Sequence, residues 1–258
     1  MLWLFAGLAF AAGILLYFLS GNTDDTFSWT IKPSVTAAFL GGAYFAAFVL
    51  FVWSARQSLW VNARPFVLPV AVIALLLLVA TLLHDEKFHK DLFGRFWLIA
   101  YIAVPPALGF ALWRQSRAPR VEAPPRRPLH NALRALLVAE GLALAGVGIS
   151  LFASPDTADS LWPWQLTPLT ARATGAFLVG FGAAALQAAF ENDIGRLTGS
   201  AYAYVTLGLL ELIAVLRYPD ALDDSGARGV GYVAFAALVL ATGLVGSARA
   251  RAGRLERP

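Results

Sequence analysis

The chain has 258 residues, of which 59% are hydrophobic and only 14% are charged, and its formal net charge is +4. A water-soluble domain normally carries about 25% charged residues, so this composition excludes a surface that water alone solvates. The positive charge does not indicate a nucleic-acid partner, because basic cytoplasmic loops of a membrane protein account for it. The chain has no cysteine, which excludes disulfides, thiol catalysis and zinc–thiolate sites.

Eight long apolar stretches, nearly free of charge, follow one another along the chain. They cover residues 2–19, 35–53, 66–83, 96–113, 133–152, 173–190, 200–216 and 230–246. A helix needs about 20 apolar residues to cross a bilayer, whereas a transmembrane β-barrel needs alternating segments of about ten residues. The sequence therefore predicts an all-α integral membrane protein of eight transmembrane helices, with the lipid bilayer as its solvent.

Lys and Arg are distributed unequally between the two sets of connections. If the N-terminus is cytoplasmic, the inner segments hold thirteen of the 20 Lys and Arg residues and the outer segments hold seven. Because basic residues are enriched in cytoplasmic loops, we predict that both termini are cytoplasmic. The inner segment 114–130, RQSRAPRVEAPPRRPLH, is rich in proline and arginine and predicts an extended linker. It divides the chain into a first unit, 1–113, and a second unit, 131–258.

The two units resemble each other most strongly around their first outer loops. The aligned pairs at an offset of 135 are Asp24 and Asp159, Trp29 and Trp164, Pro33 and Pro168 and, further on, Trp97 and Tyr232. Between them, TAAFLGG (36–42) aligns with TGAFLVG (174–180) at an offset of 138. We interpret this as an internal duplication. An even number of helices in each copy predicts two parallel four-helix repeats related by an axis along the membrane normal.

Small residues recur every four positions in the second and sixth apolar stretches. They are Ala38, Gly42 and Ala46 in one, and Ala176, Gly180 and Ala184 in the other. Such faces let helices approach closely. We expect them to be packing surfaces and the two helices to face each other across the pseudo-axis.

The outer loops of the two repeats are rich in tryptophan and proline. Trp29 and Pro33 lie in the first loop, and Trp162, Trp164 and Pro168 lie in the second. Tryptophan is enriched at membrane interfaces, and proline keeps such a segment out of the adjoining helices. We expect an interfacial device at the membrane surface. The alternative is that the two loops cover an outward-facing cavity.

Two acids, Glu140 and Glu211, lie inside predicted spans, roughly 15 Å and 17 Å from the inner boundary at 1.5 Å per residue. An intramembrane charge costs at least roughly 2.5–3.5 kcal/mol, so it needs a partner or water. The functional interpretation is a proton or cation relay, or a ligand contact. The structural alternative is a carboxyl paired with a tyrosine, a carbonyl or Arg172. For Glu211 we predict pairing with Arg172, directly or through water.

The outer segment LHDEKFHKD (83–91) combines histidines with acids. Its candidate metal ligands are His84, Asp85, Glu86 and His89, but their spacing is not that of a zinc-binding HExxH helix. We expect a polar cap over two helices and no metal, with a divalent cation as the weaker alternative. No nucleophile elbow, phosphate loop or dinucleotide fingerprint is present, so we expect neither enzymatic activity nor a cofactor.

The stretch LTPLTARATGAFLVGFG (166–182), in which Arg172 is followed by Gly175, resembles the four-helix bacterial membrane units grouped around DoxX-like proteins. The first unit departs from it, since no arginine lies near Ser34. The resemblance implies a tandem pair of such units in a bacterial inner membrane, and it implies no substrate.

Three functions compete at this point. The parallel repeat and the buried acids favour transport of a small solute, linked to a proton. A non-catalytic scaffold or accessory subunit is the second candidate, and a membrane enzyme acting on lipid is the third. A cavity that reaches Glu140 or Glu211 would favour transport, whereas a solid core would favour a scaffold.

The absence of native cysteine makes the topology directly testable. We expect Asp156→Cys to react with a membrane-impermeant maleimide added to intact cells, and Arg120→Cys to react only after the membrane is permeabilised. Labelling of residue 120 from outside would reverse the predicted orientation.

Overall fold

The computed structural model describes residues 1–118, 126–222 and 226–255, without the side chains of 157–159 and 253–255. Residues 119–125 of the predicted linker lie outside the described residues, as do 223–225 and 256–258. The described part of the chain is all-helical and contains no strand. The predicted all-α class is confirmed.

Eight long helices account for the eight apolar stretches. They are α1 (Leu2–Phe18), α2 (Ser34–Ala55), α3 (Val67–Leu83), α4 (Leu92–Arg117), α5 (Asn131–Ala153), α6 (Pro168–Glu191), α7 (Thr198–Arg217) and α8 (Ala227–Leu255). Seven are long and apolar enough to span a membrane, counting α3 with the helical turns at 60–66 that precede it. The eighth, α1, is apolar but has 17 residues. The chain is therefore a multi-pass membrane protein.

These segments form helices because hydrocarbon offers no partner for a free backbone amide or carbonyl, and a helix satisfies both within itself. Several ends that leave the apolar region have side-chain caps. Asp91 accepts a hydrogen bond from the Gly94 amide at the start of α4. Thr167 accepts one from the Thr170 amide before α6, and Pro168 occupies the first turn of α6, where proline costs no hydrogen bond.

Helices α2 and α6 form the centre of the molecule, and 67% of the residues in the most apolar stretch of each are buried. Helix α2 packs on α1 and α7, while α6 packs on α5 and α3. Helix α8 then packs on α7, and α4 packs on α3. The second helix of each predicted unit thus lies against the third helix of the other unit, so the two units share one interior.

The closest helix crossings are built on glycine. A Cβ atom on Gly148 of α5 would lie 2.7 Å from the Val179 amide nitrogen of α6, and one on Gly175 would lie 2.6 Å from the Gly148 carbonyl oxygen. Between α7 and α8, Gly208 and Gly243 are equally tight, each with a hypothetical Cβ 2.6 Å from a backbone nitrogen. Contact between backbones replaces the hydrophobic effect that is missing between helices in lipid.

The small-residue faces of α2 and α6 do not mainly face each other, which corrects that expectation. Gly42 lies against Glu211 and Leu210 of α7, and Gly180 lies against Ile73 of α3. The physical reason is that α7 and α3 occupy the grooves next to the two central helices, leaving α2 and α6 only a narrow mutual contact.

The helix ends define two sides of the molecule. The linker side contains Met1, the last turn of α8 and residues 126–130 and 192–197, and the tryptophan side contains residues 19–33 and 154–167. On the linker side, Glu191 at the end of α6 accepts from Arg64 (2.7 Å) and Arg196 (3.1 Å). Arg196 also lies 2.9 Å from Asp193. This ion-pair network ties α6 to the segment before α3 and was not predicted.

We expect Gly148→Ala to destabilise the protein by about 1–3 kcal/mol, because the added methyl group meets backbone that cannot turn aside. Gly146→Ala is the matched control in the same helix, since no atom lies within 4 Å of its Cβ position. Unfolding temperatures in detergent measure both variants. Equal effects of the two substitutions would contradict the close α5–α6 crossing.

Candidate functional site

Glu211 lies in α7 and is only 4% exposed. Its Oε2 accepts a hydrogen bond from the Tyr232 hydroxyl of α8 at 2.7 Å. Its Oε1 is buried and has no hydrogen-bond partner in the described part of the chain. A Cβ atom on Gly42 would lie 2.7 Å from this oxygen, so the glycine of α2 provides the space that the carboxyl group occupies.

Glu211 lines a cavity of about 270 Å³ between the helices of the second unit. Helices α5 to α8 supply most of its wall, and Phe39 of α2 completes it. The wall is rich in aromatic rings, which come from Phe39, Trp162, Phe181, Tyr204, Tyr232 and Phe235. Of the described residues in this wall, Glu211 is the one acid and Arg228 the one base.

A second space, of about 430 Å³, lies next to the cavity on the tryptophan side. We call it the vestibule; its lining residues are Trp162, Pro163, Trp164, Gln165, Asp220, Ala221 and Arg228. Trp162, Pro163 and Arg228 line both spaces. The cavity therefore adjoins a more polar compartment at the end of the helices.

The three loop tryptophans are buried in protein, and their predicted depth at the membrane interface stays a prediction. Trp29, Trp162 and Trp164 are 3%, 5% and 6% exposed. Trp162 and Trp164 pack edge to face on each other and on Tyr232. Trp162 and Trp164 line the vestibule, so the alternative of a loop that covers a cavity fits the second loop.

Trp164 also has a hydrogen bond to the first unit, and Pro33 and Pro168 are less buried than the loop tryptophans. Trp164 Nε1 donates to Thr36 Oγ1 of α2 (2.9 Å), so the second unit's loop is fixed to the first unit. Pro168 is exposed and Pro33 is partly exposed. Their exposure remains compatible with the predicted interface.

Glu140 of α5 is 2% exposed and accepts a hydrogen bond from Thr242 of α8 at 2.7 Å. This bond links two helices that otherwise share few contacts. Thr242 also lines a narrow cleft of about 40 Å³ towards the linker side. Tyr204 lines both that cleft and the cavity of Glu211, so its side chain borders the two spaces.

The predicted direct pairing of Arg172 with Glu211 is wrong. Arg172 Nη1 donates to His84 Nε2 at 2.6 Å, across the ends of α6 and α3. The prediction assumed that the short connection between α6 and α7 makes them packing neighbours. Instead α7 packs on α2 and α8, and α6 packs on α3 and α5.

The four candidate metal ligands have separate partners. His84 accepts from Arg172, Asp85 pairs with Lys90 at 2.5 Å, and His89 lies 2.9 Å from the Phe27 carbonyl oxygen. Glu86 is 4.0 Å from His84 and largely exposed. Within the described ranges no group of three or more such side chains converges on a metal position.

A smaller cavity of about 140 Å³ occupies the corresponding place in the first unit. Its wall matches that of the second cavity at the offsets found in the sequence. The pairs at 135 are Leu8 and Ala143, Ala9 and Leu144, Ala12 and Val147, Phe96 and Gly231, Trp97 and Tyr232, Ala100 and Phe235, Tyr101 and Ala236, and Val104 and Val239. Phe39 and Phe177 correspond at an offset of 138, and each lines the cavity of the other unit. These correspondences support a duplication.

The two cavities differ where the acid lies. Ile73 contacts Gly180 in the way that Glu211 contacts Gly42. An offset of 138 relates Gly42 to Gly180, and the same offset relates Ile73 to Glu211. The counterpart of Glu211 is therefore Ile73, and not Leu76, which a constant offset of 135 predicts. The first cavity has no charged residue in its described wall.

Sequence analysis missed Tyr232, Gly42 and Thr242 as partners of the two acids. Tyr232 was recognised only as the repeat counterpart of Trp97, and Gly42 only as a packing residue. The sequence thus singled out both Tyr232 and Gly42. Their contact with Glu211 depends on how α8 and α2 approach α7, which no local sequence pattern encodes.

Comparison of the chain with models of protein families, with curated proteins and with solved structures finds no match. The geometry of the site is thus the basis for its interpretation.

Stability should fall as the pH drops below about 6.5, because burial and the Arg172 guanidinium lower the pKa of His84 from its usual 6.5. Glu86 opposes this shift and Lys87 adds to it. The unfolded imidazole takes a proton near pH 6.5 and the folded one only at lower pH, so stability is complete above that value and is lost below it. His84→Gln keeps an acceptor for Arg172 and should have a smaller loss of melting temperature between about pH 7.5 and about pH 5.5. Parallel pH profiles for the two proteins would contradict this assignment.

Proposed function

We propose that the protein is a membrane carrier that exchanges a proton for a small solute at Glu211, within the cavity of the second unit. The observation that carries this proposal is a cavity of about 270 Å³ that reaches a buried carboxyl group with one unpartnered oxygen. A cavity of this kind favours transport over a solid scaffold.

A carboxylate away from water is costly unless a charge or a proton neutralises it. Glu211 has a single hydrogen bond, from a neutral hydroxyl, and no cationic side chain within ion-pair distance among the described residues. A proton and a bound solute therefore compete to neutralise it. Such competition is the chemical basis of proton-linked exchange, since each species leaves when the other arrives.

The order of spaces through the second unit supports passage. The vestibule adjoins the cavity, the cavity ends at Tyr204, and the cleft beside Thr242 and Glu140 continues towards the linker side. We propose that Tyr204 is the constriction between two half-paths. A rotation of this side chain, with a small separation of α5 and α8, would expose the cavity to the other side.

The alternatives have less support. A scaffold or accessory subunit needs no cavity lined by a buried acid. A lipid-acting enzyme needs a nucleophile or an acid–base pair, and the described wall offers one carboxyl group and no histidine. Lack of enzymatic activity remains a prediction.

We propose the same orientation as the sequence predicts, with the linker side and both termini in the cytoplasm of a bacterial cell and the vestibule facing outward. We also propose kinship with DoxX-like units. Its basis is the segment around Arg172 and Gly175, and the close contact of Gly175 with Gly148 gives that glycine a packing role.

Proteoliposomes that enclose a pH-sensitive dye test the transport proposal. A pH gradient is imposed, and small amines, carboxylic acids and neutral solutes are added in turn. We expect one class to change the internal pH with the native protein and to have no effect above empty liposomes with Glu211→Gln, because an amide cannot exchange a proton.

Asp25→Asn is the matched control, since Asp25 is an exposed carboxyl group in the first outer loop and should leave the flux unchanged. If no solute class produces a flux that depends on Glu211 in folded, reconstituted protein, the carrier proposal fails and the scaffold is favoured.

A further inference from the structure

We propose that the cavity of the second unit binds a monovalent organic cation with an apolar body, such as a substituted ammonium ion, with its charged head at Glu211. The binding site itself stands on geometry, and the assignment of this cation as the transported solute rests on the proposed function.

Glu211, the one acid in the described wall of the cavity, indicates the charge of the ligand. A carboxylate only accepts hydrogen bonds or attracts cations, so a neutral acceptor or an anion gains nothing from it. Tyr232 donates to Oε2, and Oε1 lies against Gly42 of α2 with no hydrogen-bond partner among the described residues. No cationic side chain of the described residues pairs with this carboxyl group, so a bound cation can supply the missing charge.

Aromatic rings around the acid provide a second attraction for a cation. The Tyr232 ring lies 5.6 Å from that of Trp162, nearly edge to face, and both rings line the cavity with Glu211. Aromatic faces attract ammonium and guanidinium groups, and more strongly where water is excluded. A carboxylate beside several rings is thus suited to a cation that also has apolar groups.

The positive charge at the mouth does not reverse this preference. Arg228 lies one helical turn before Tyr232 on α8 and lines both the cavity and the vestibule. Asp220 lines the vestibule as well. Opposite charges therefore lie at the mouth, while the deep end has the acid alone.

Volume and wall chemistry limit the size and the shape of the ligand. About 270 Å³ is just below the roughly 300–1,000 Å³ of sites for drug-sized ligands. A single ring or a short branched chain with one charged head is therefore appropriate. Apart from Glu211 and Arg228, the wall consists of apolar and aromatic residues, so the body of the ligand needs no further polar group.

The first cavity provides a comparison inside the same molecule. It is formed by the corresponding helices of the first unit and has many equivalent wall positions, but Ile73 replaces Glu211 and Trp97 replaces Tyr232. The Trp97 indole donates instead to Thr81. A cation has no counter-charge there, so the first cavity should not bind it.

Three probes with one phenyl body separate charge from shape. They are phenyltrimethylammonium, the neutral 2-phenyl-2-propanol and the anion benzenesulfonate, each titrated calorimetrically into the full-length protein in detergent. We expect the cation to bind about tenfold or more tightly than the alcohol, and the anion not to bind. Glu211→Gln should weaken cation binding by about tenfold or more, whereas Tyr101→Phe, in the first cavity, should leave it unchanged.

Equal binding of the alcohol and the cation, preference for the anion, failure of the cation to bind or insensitivity to Glu211→Gln would each overturn the proposal. If the Gln variant does not fold, labelling of the native protein with dicyclohexylcarbodiimide provides the test, with the modified carboxyl groups identified by mass spectrometry. The cation should protect Glu211 and leave the labelling of Glu140, which does not line the cavity, unchanged. Equal protection of both acids, or of neither, would contradict the site.

These measurements separate the two proposals. Cation binding at Glu211 without any flux in liposomes would retain the ligand assignment and reject transport. A Glu211-dependent flux of another solute class, with no binding of the cation, would retain transport and reject the ligand assignment.

Discussion

Close backbone contact at glycine is the constraint on which this helix assembly depends. In hydrocarbon the helices gain nothing from hiding apolar side chains, so they associate where small residues let their backbones meet. The contacts of Gly148 with α6 and of Gly208 with α8 hold α5 to α6 and α7 to α8. Between these tight pairs, α5 and α8 share few contacts. The cavity of the second unit occupies the space left between them.

The two halves of the molecule have cavities with equivalent wall positions, but only the second has a charged site in its described wall. Equivalent positions line both cavities, and the glycine that makes room for Glu211 in α2 has a counterpart, Gly180, that makes room for Ile73. The geometry of the packing is thus common to both halves. The chemistry differs between the halves, because a buried isoleucine needs no hydrogen-bond partner, whereas a buried carboxyl group requires a donor or a charge.

Glu140 and Glu211 illustrate two uses of a buried carboxyl group in the same unit. Glu140 joins α5 to α8 through Thr242, near the cleft on the linker side. Glu211 lines the cavity of the second unit, whose wall is rich in aromatic rings. Tyr204 lies between the two environments.

The sequence by itself determined the membrane class, the number of helices and the unusual character of Glu140 and Glu211, because each depends on composition along a single segment. It also indicated the repeat, since aligned side chains survive in the chain. The partners of Arg172, Glu211 and the loop tryptophans were decided only by the tertiary structure. Short connections suggested that α6 and α7 are neighbours, but α7 packs on α2 of the other unit. The packing partner of α7 depends on which helix faces fit together across the whole molecule. This packing placed Tyr232 and Gly42 beside Glu211 and buried Trp29, Trp162 and Trp164 in protein.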